Sequence, residues 1–166
     1  MKLRFLKKIA AAAAACVLVF ALASCSSNEP AGGNADVTLD PAALADSLHD
    51  GLTFQDQLTA LEGDAAMGIY SLDNTTVTQL KVYVSTGATA EEIAVIETVG
   101  GDAVQTVQDA MEKRIEDQKA AFENYQPKEM TKLENPLVET RGKYVILCLS
   151  DDNDAARAII DEAAGA

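Results

Sequence analysis

Histidine, cysteine, positive charge and long apolar runs are all scarce in this chain, and each shortage removes a class of function. A single histidine, His49, stands among 166 residues, so His-based zinc sites, Ser-His-Asp triads and Cys-His pairs lose their usual parts. It lies beside Asp46 and Asp50 near the end of a short predicted helix, where a surface cation is favoured. Of three cysteines, Cys16 and Cys25 fall at the N-terminus, which leaves Cys148 alone and excludes an internal disulfide in the rest. Cys148, in Tyr-Val-Ile-Leu-Cys-Leu, reads as a buried apolar residue rather than a reactive thiol. Thirteen bases face 26 acids. So acidic a chain is repelled by phosphate polymers and anionic headgroups, which excludes nucleic acid and favours cations or basic protein surfaces as partners. The apolar run Ile9 to Leu22 has 14 residues, rising about 21 Å as a helix against a hydrocarbon core of roughly 30 Å. A permanent membrane span is therefore disfavoured.

What surrounds that run explains it. Lys2, Arg4, Lys7 and Lys8 precede it and Leu22-Ala23-Ser24-Cys25 closes it, the pattern of a secretory signal. Small residues before Cys25 suit a peptidase cutting ahead of it, and its thiol is the atom that a diacylglyceryl group would alkylate. The tetrapeptide matches the lipobox of bacterial lipoproteins. An ordinary signal with an incidental cysteine, or an uncleaved anchor, competes with this reading, but neither needs a lipobox at the end of the run. Residues 1–24 thus predict a lipoprotein signal. Cys25 is the predicted lipid attachment, holding the chain on the extracytoplasmic face of the cell membrane by two or more acyl chains. Cleavage would remove four cations and no acid, leaving 9 bases against 26 acids, a net charge of −17.

Residues 25–36 carry little to bury and predict a flexible linker; its 11 residues after Cys25 reach about 18 Å. Residues 37–166 have the size of one domain. Asp40 as N-cap and Pro41 after it start a helix bearing Leu44, Leu48 and Leu52, with Gly51 as a stop. Phe54, Leu58 and Leu61 suggest an irregular or helical segment, and Tyr70 ends a further short helix. Strands are expected over 77–85 and 93–99, then a helix over about 102–124 capped by Asp102, with Val104, Val107, Met111, Ile115, Gln118 and Phe122 on one stripe. Residues 137–140 and 144–150 flank Arg141-Gly142 as a hairpin, the second being apolar on both faces and expected at the sheet's centre. Asp151-Asp152-Asn153-Asp154 starts a last helix. The expected fold is α+β, a mostly antiparallel four-stranded sheet with helices packed on one face.

Few residues suggest chemistry. The acidic run at 151–154 resembles the start of a calcium loop, but Ala156 and Arg157 stand where an acid and a glycine belong, so a capped helix is the better account. No metal and no cofactor is called for. Arg114 lies on or beside the buried stripe and needs a partner. Either its stem covers the core edge while it pairs with Glu116, Asp117 or a loop, or it clamps an anionic ligand near Tyr125. Paired carboxylates can do acid–base work without histidine, but no spacing among the 26 acids singles out a pair.

Glu92-Ile93-Ala94-Val95, the helix bearing Arg114-Ile115 and Gln118, the segment Phe122-Glu123-Asn124-Tyr125-Gln126-Pro127, and Gly142-Lys143-Tyr144-Val145 with Ser150 and Asp151 occur in one order. Together they resemble the bacterial lipoprotein family known as domain of unknown function 4358, over roughly the last hundred residues. Ser71 departs from the small turn residue expected after Tyr70. The resemblance implies a Gram-positive cell-surface lipoprotein and assigns no activity. The expected function is a non-enzymatic binding or accessory module for an unknown protein or small molecule. The alternative is a carboxylate-dependent hydrolase, or an inhibitor of a cell-envelope enzyme.

Overall fold

A computed structural model describes residues 37–165; the expected signal, the linker and Cys25 lie outside the described residues. Helix α1 (Pro41–Gly51) begins where Asp40 accepts hydrogen bonds from Ala42 and Ala43 N–H at 2.9 and 3.1 Å. Strand β1 (Thr59–Leu61) and helix α2 (Gly63–Tyr70) follow, then β2 (Val77–Val84), β3 (Glu92–Thr98) and the long α3 (Asp102–Phe122). A single 3₁₀ turn (Pro127–Glu129) runs into α4 (Met130–Glu134) before the β4 (Leu137–Arg141) and β5 (Tyr144–Leu149) hairpin and α5 (Asn153–Ala164). Asp152 caps α5, accepting from Ala155 N–H at 2.9 Å. Gly101 holds the N-cap position of α3, and Asp102 stands in the first turn, where its charge still meets the helix dipole. Among the described residues no helix is long and apolar enough to cross a membrane.

The sheet has five strands in the order β1-β2-β3-β5-β4, every neighbour antiparallel. The extra strand corrects the expectation of four. Thr59, Ala60 and Leu61 pair with Val84, Tyr83 and Val82, and three edge residues carry no periodicity of their own, so the partner strand defines them. The middle place falls to β3, with β5 beside it.

Helices cover both faces, which corrects the one-sided layer. All of β3 and β5 is buried, and side chains alternate across a sheet, so each face presents an apolar surface that needs a cover. Ile93, Val95, Ile146 and Cys148 pack with Leu44 and Leu48 of α1 and Ala156 and Ile160 of α5. Ala94, Ile96, Val145 and Leu147 pack with Ala66 and Tyr70 of α2, Val107, Met111 and Ile115 of α3, and Leu133 of α4. The two helices of the first face touch closely: a Cβ on Gly51 would stand 2.8 Å from Ile159 Cδ1.

Candidate functional site

Alternation along β3 sends Glu92 to the same face as Ala94 and Ile96, beneath α2 and α3. A lone carboxylate there would carry a heavy desolvation cost, and three side chains meet it. Tyr70, the last residue of α2, donates its hydroxyl to Oε1 at 2.5 Å. Arg114 donates Nη2 to Oε2 at 2.6 Å and Nε to both oxygens at 3.2 Å. Gln118 donates Nε2 to Oε2 at 2.8 Å. Arg114 and Gln118 reach one carboxylate because residues four apart share a helix face. The Glu92 side chain is 1% exposed and that of Arg114 26%. Burial, reinforced by the Glu92 charge, pushes the Tyr70 hydroxyl well above its ordinary pKa, so it remains a donor. Burial is the largest single influence and works against the Arg114 charge, but hydrogen bonding to Glu92 and the negative charges around it together outweigh burial, and the net shift is upward.

This cluster forms one wall of a cleft of about 320 Å³ between α3 and the loop that follows β2. Leu61, Ile69, Val84, Ala121 and Phe122 give the cleft an apolar lining, and Ser85, Thr86, Gly87 and Thr89 bring the loop to its edge. The loop hydroxyls are already committed. Ser85 donates to the Thr89 carbonyl at 2.6 Å, Thr86 to Asp56 at 2.5 Å, and Thr89 to Glu91 at 2.9 Å. The bond from the Thr86 hydroxyl holds the Asp56 carboxyl below its usual range.

A second polar cluster lies at the start of β3. Lys132 of α4, with its side chain 2% exposed, places Nζ 3.1 Å from Glu129, 3.2 Å from Asp151 and 3.7 Å from Glu91. Glu91 in turn accepts the backbone N–H groups of Gln55 and Asp56 at 2.9 Å each. Burial opposes the Lys132 charge, and its carboxylate partners more than restore it. The cluster ties the segment before β1 to β3, α4 and the end of β5; Glu129 Oε1 is the one oxygen in it that is buried without a partner among the described residues.

The residues singled out from sequence are scattered. Arg114 pairs with Glu92, 22 positions away, and lines the cleft. Tyr125 stands outside the cleft lining, the residue 66% exposed and its ring tilted against Phe122 at 6.2 Å between centroids. His49 contacts Asp50 at 3.0 Å and stacks on Tyr83 at 4.5 Å. Asp151 and Asp152 serve Lys132 and the α5 cap. Among the described residues no group of three or more His, Cys, Asp or Glu is arranged to hold a metal ion. Sequence reasoning missed Glu92 and Tyr70 as partners. The signal was there in part: a glutamine on an apolar stripe, four residues after an arginine, implies a buried acceptor, but spacing cannot say which acid supplies it.

No curated protein and no solved structure matches the chain significantly. The helices α1 and α5 that cover one face of the sheet lie outside a shared segment that contains the whole cleft. That segment, residues 52–150, is more than half of the chain and matches the domain of unknown function DUF4358, the family to which the chain belongs.

Proposed function

We propose that the chain is an extracytoplasmic lipoprotein, anchored to the cell membrane through Cys25, whose domain is a non-enzymatic binding module with its ligand in the α3 cleft. The anchor is supported by Leu22-Ala23-Ser24-Cys25 closing a run too short to span. The binding reading rests on the state of Glu92. The one deeply buried carboxylate in the cleft wall is engaged by Tyr70, Arg114 and Gln118 at once, so its oxygens are committed to structure rather than free to take a proton from a substrate.

Two experiments test this. Mass analysis of the chain from membranes should find diacylglyceryl on Cys25, and Cys25→Ser should release the domain from the membrane fraction; an unmodified thiol overturns the anchor. For the cleft, a thermal-shift screen of small molecules should find stabilisers whose effect disappears in Ala121→Trp, which fills the cleft from its α3 side. Turnover of cell-wall, peptide or phosphoester substrates, abolished by a point change that leaves the fold intact, would establish the hydrolase alternative instead.

A further inference from the structure

Glu92 takes the positive charge of Arg114 out of play, and this decides what the cleft can hold. Nε and Nη2 of Arg114 are spent on the carboxylate. Its Nη1 makes no hydrogen bond to any described residue and is not among the buried polar atoms that lack a partner, so it is open to solvent, on a residue that lines the cleft. The same carboxylate orients Gln118. A carboxylate only accepts, so the amide must turn Nε2 towards Glu92 and Oε1 away from it. Gln118 is 6% exposed and lines the cleft, and its Oε1 accepts nothing from the described residues without being sealed from solvent. Two residues of the cleft wall, a helical turn apart, thus each keep a polar group open to solvent, a donor on Arg114 and an acceptor on Gln118. Glu92 and Arg114 cancel each other's charge, the remaining acid of the wall, Asp117, pairs with Lys113, and Leu61, Ile69, Val84 and Phe122 flank the site.

We infer that the cleft binds an uncharged amide bearing an apolar substituent, its carbonyl accepting from Arg114 Nη1 and its N–H donating to Gln118 Oε1. The inference rests on the cleft reading above and names its ligand class. A primary carboxamide offers both groups on one side, and so does one residue of an extended peptide. An anion fits less well. It would meet a guanidinium already neutralised at 2.6 Å, with Asp117 also on the cleft wall. A carboxylate would further set its oxygen against Gln118 Oε1, two acceptors facing each other with no proton between them. A ligand with a carbonyl alone would leave Oε1 desolvated and unpaired, which is the arrangement that recognition sites reject most strongly.

The test compares isosteres on the full chain in mild detergent, following amide resonances of residues 114–122. Isovaleramide and isovalerate differ only in an amide nitrogen against a carboxylate oxygen. N-acetyl-leucine N-methylamide separates a peptide source from a simple carboxamide: saturation by it in preference to isovaleramide points to an extended peptide. Isovaleramide or the peptide probe should saturate the cleft at least about tenfold more tightly than isovalerate, the effect of one net hydrogen bond. Arg114→Lys keeps a cation for Glu92 but loses the spare donor, and should weaken the amide by about tenfold. Ala121→Trp should abolish the response while leaving the remaining spectrum in place. Tighter binding of isovalerate at the same resonances overturns the amide class and leaves the cleft as the site. Amide binding that survives Ala121→Trp, or no saturable response to any probe, overturns both.

Discussion

Glu92 sits where a β-strand enters the core, and replacing single partners around it is predicted to be costly in a way that replacing pairs is not. Arg114→Met leaves a 1% exposed carboxylate with Tyr70 and Gln118 as its donors, and breaking a buried pair in this way costs about 3–5 kcal/mol. In the double variant Glu92→Met, Arg114→Met no charge is stranded, so urea unfolding should find it more stable than Arg114→Met alone. A double variant that loses as much as the two single variants summed would show that the carboxylate is not coupled to the arginine. Cys148 offers a second test, of opposite chemistry. It is fully buried in β5, and that burial raises its thiol to about 11, whereas an unfolded thiol ionises near 8.5. A folded pKa raised in this way contributes stability that is complete below the unfolded value and is lost as pH rises towards the folded one. Across that window of about 2.5 pH units the loss should reach on the order of 3 kcal/mol. Denaturant titrations at rising pH should show a steeper decline in the parent chain than in Cys148→Ala, and equal slopes would refute the assignment.

At the scale of elements, periodicity and two of three caps were legible, Asp102 standing one place inside α3 behind Gly101, and pairing was not. Asp40 and Asp152 cap α1 and α5 as their sequence contexts imply, and the stripe Val107, Met111, Ile115, Gln118, Phe122 is the buried face of α3. These are local signals, written within one or two helical turns. β1 and α4 were not read because each is only three to five residues long and takes its form from what it packs against. The double-sided cover follows from β5 alone, because a strand as apolar as Val145-Ile146-Leu147-Cys148-Leu149 on both faces cannot be served by helices on one. The candidate site shows the same division, since Arg114 and Gln118 could be paired by spacing whereas Glu92 and Tyr70 could not. Ser71 is the local exception with a measurable consequence. It ends α2 in the left-handed region at φ 55, its N–H bonded to Gly68 O and that of Leu72 to Met67 O, both at 3.1 Å. A side chain there strains the backbone, and glycine is the usual occupant of such a cap. Ser71→Gly should therefore stabilise the domain by about 0.5–1 kcal/mol, read as a higher denaturation midpoint at unchanged slope.

For the whole molecule the governing quantity is charge of one sign. Residues 37–166 contain 24 acids and 9 bases, and among the described residues every base but Lys128 stands within an ion pair. The cations are thus already committed, several to buried carboxylates such as Glu92, Glu97 and Glu139, and the remaining acids repel one another across the surface. Two effects of salt then compete. Screening weakens exposed pairs such as Lys113 with Asp117 at 2.7 Å, which are worth little to begin with. It also relieves the long-range repulsion, which acts over about 30 Å at 0.01 M salt and about 8 Å at 0.15 M. Buried pairs are screened least. Repulsion among many unpaired acids should outweigh a few exposed pairs, so added sodium chloride is predicted to raise the melting temperature by a few degrees, with potassium chloride acting identically. A melting temperature that falls with salt would mean that the surface pairs hold the fold together, and the acidic excess would then have to be balanced by contacts outside residues 37–165.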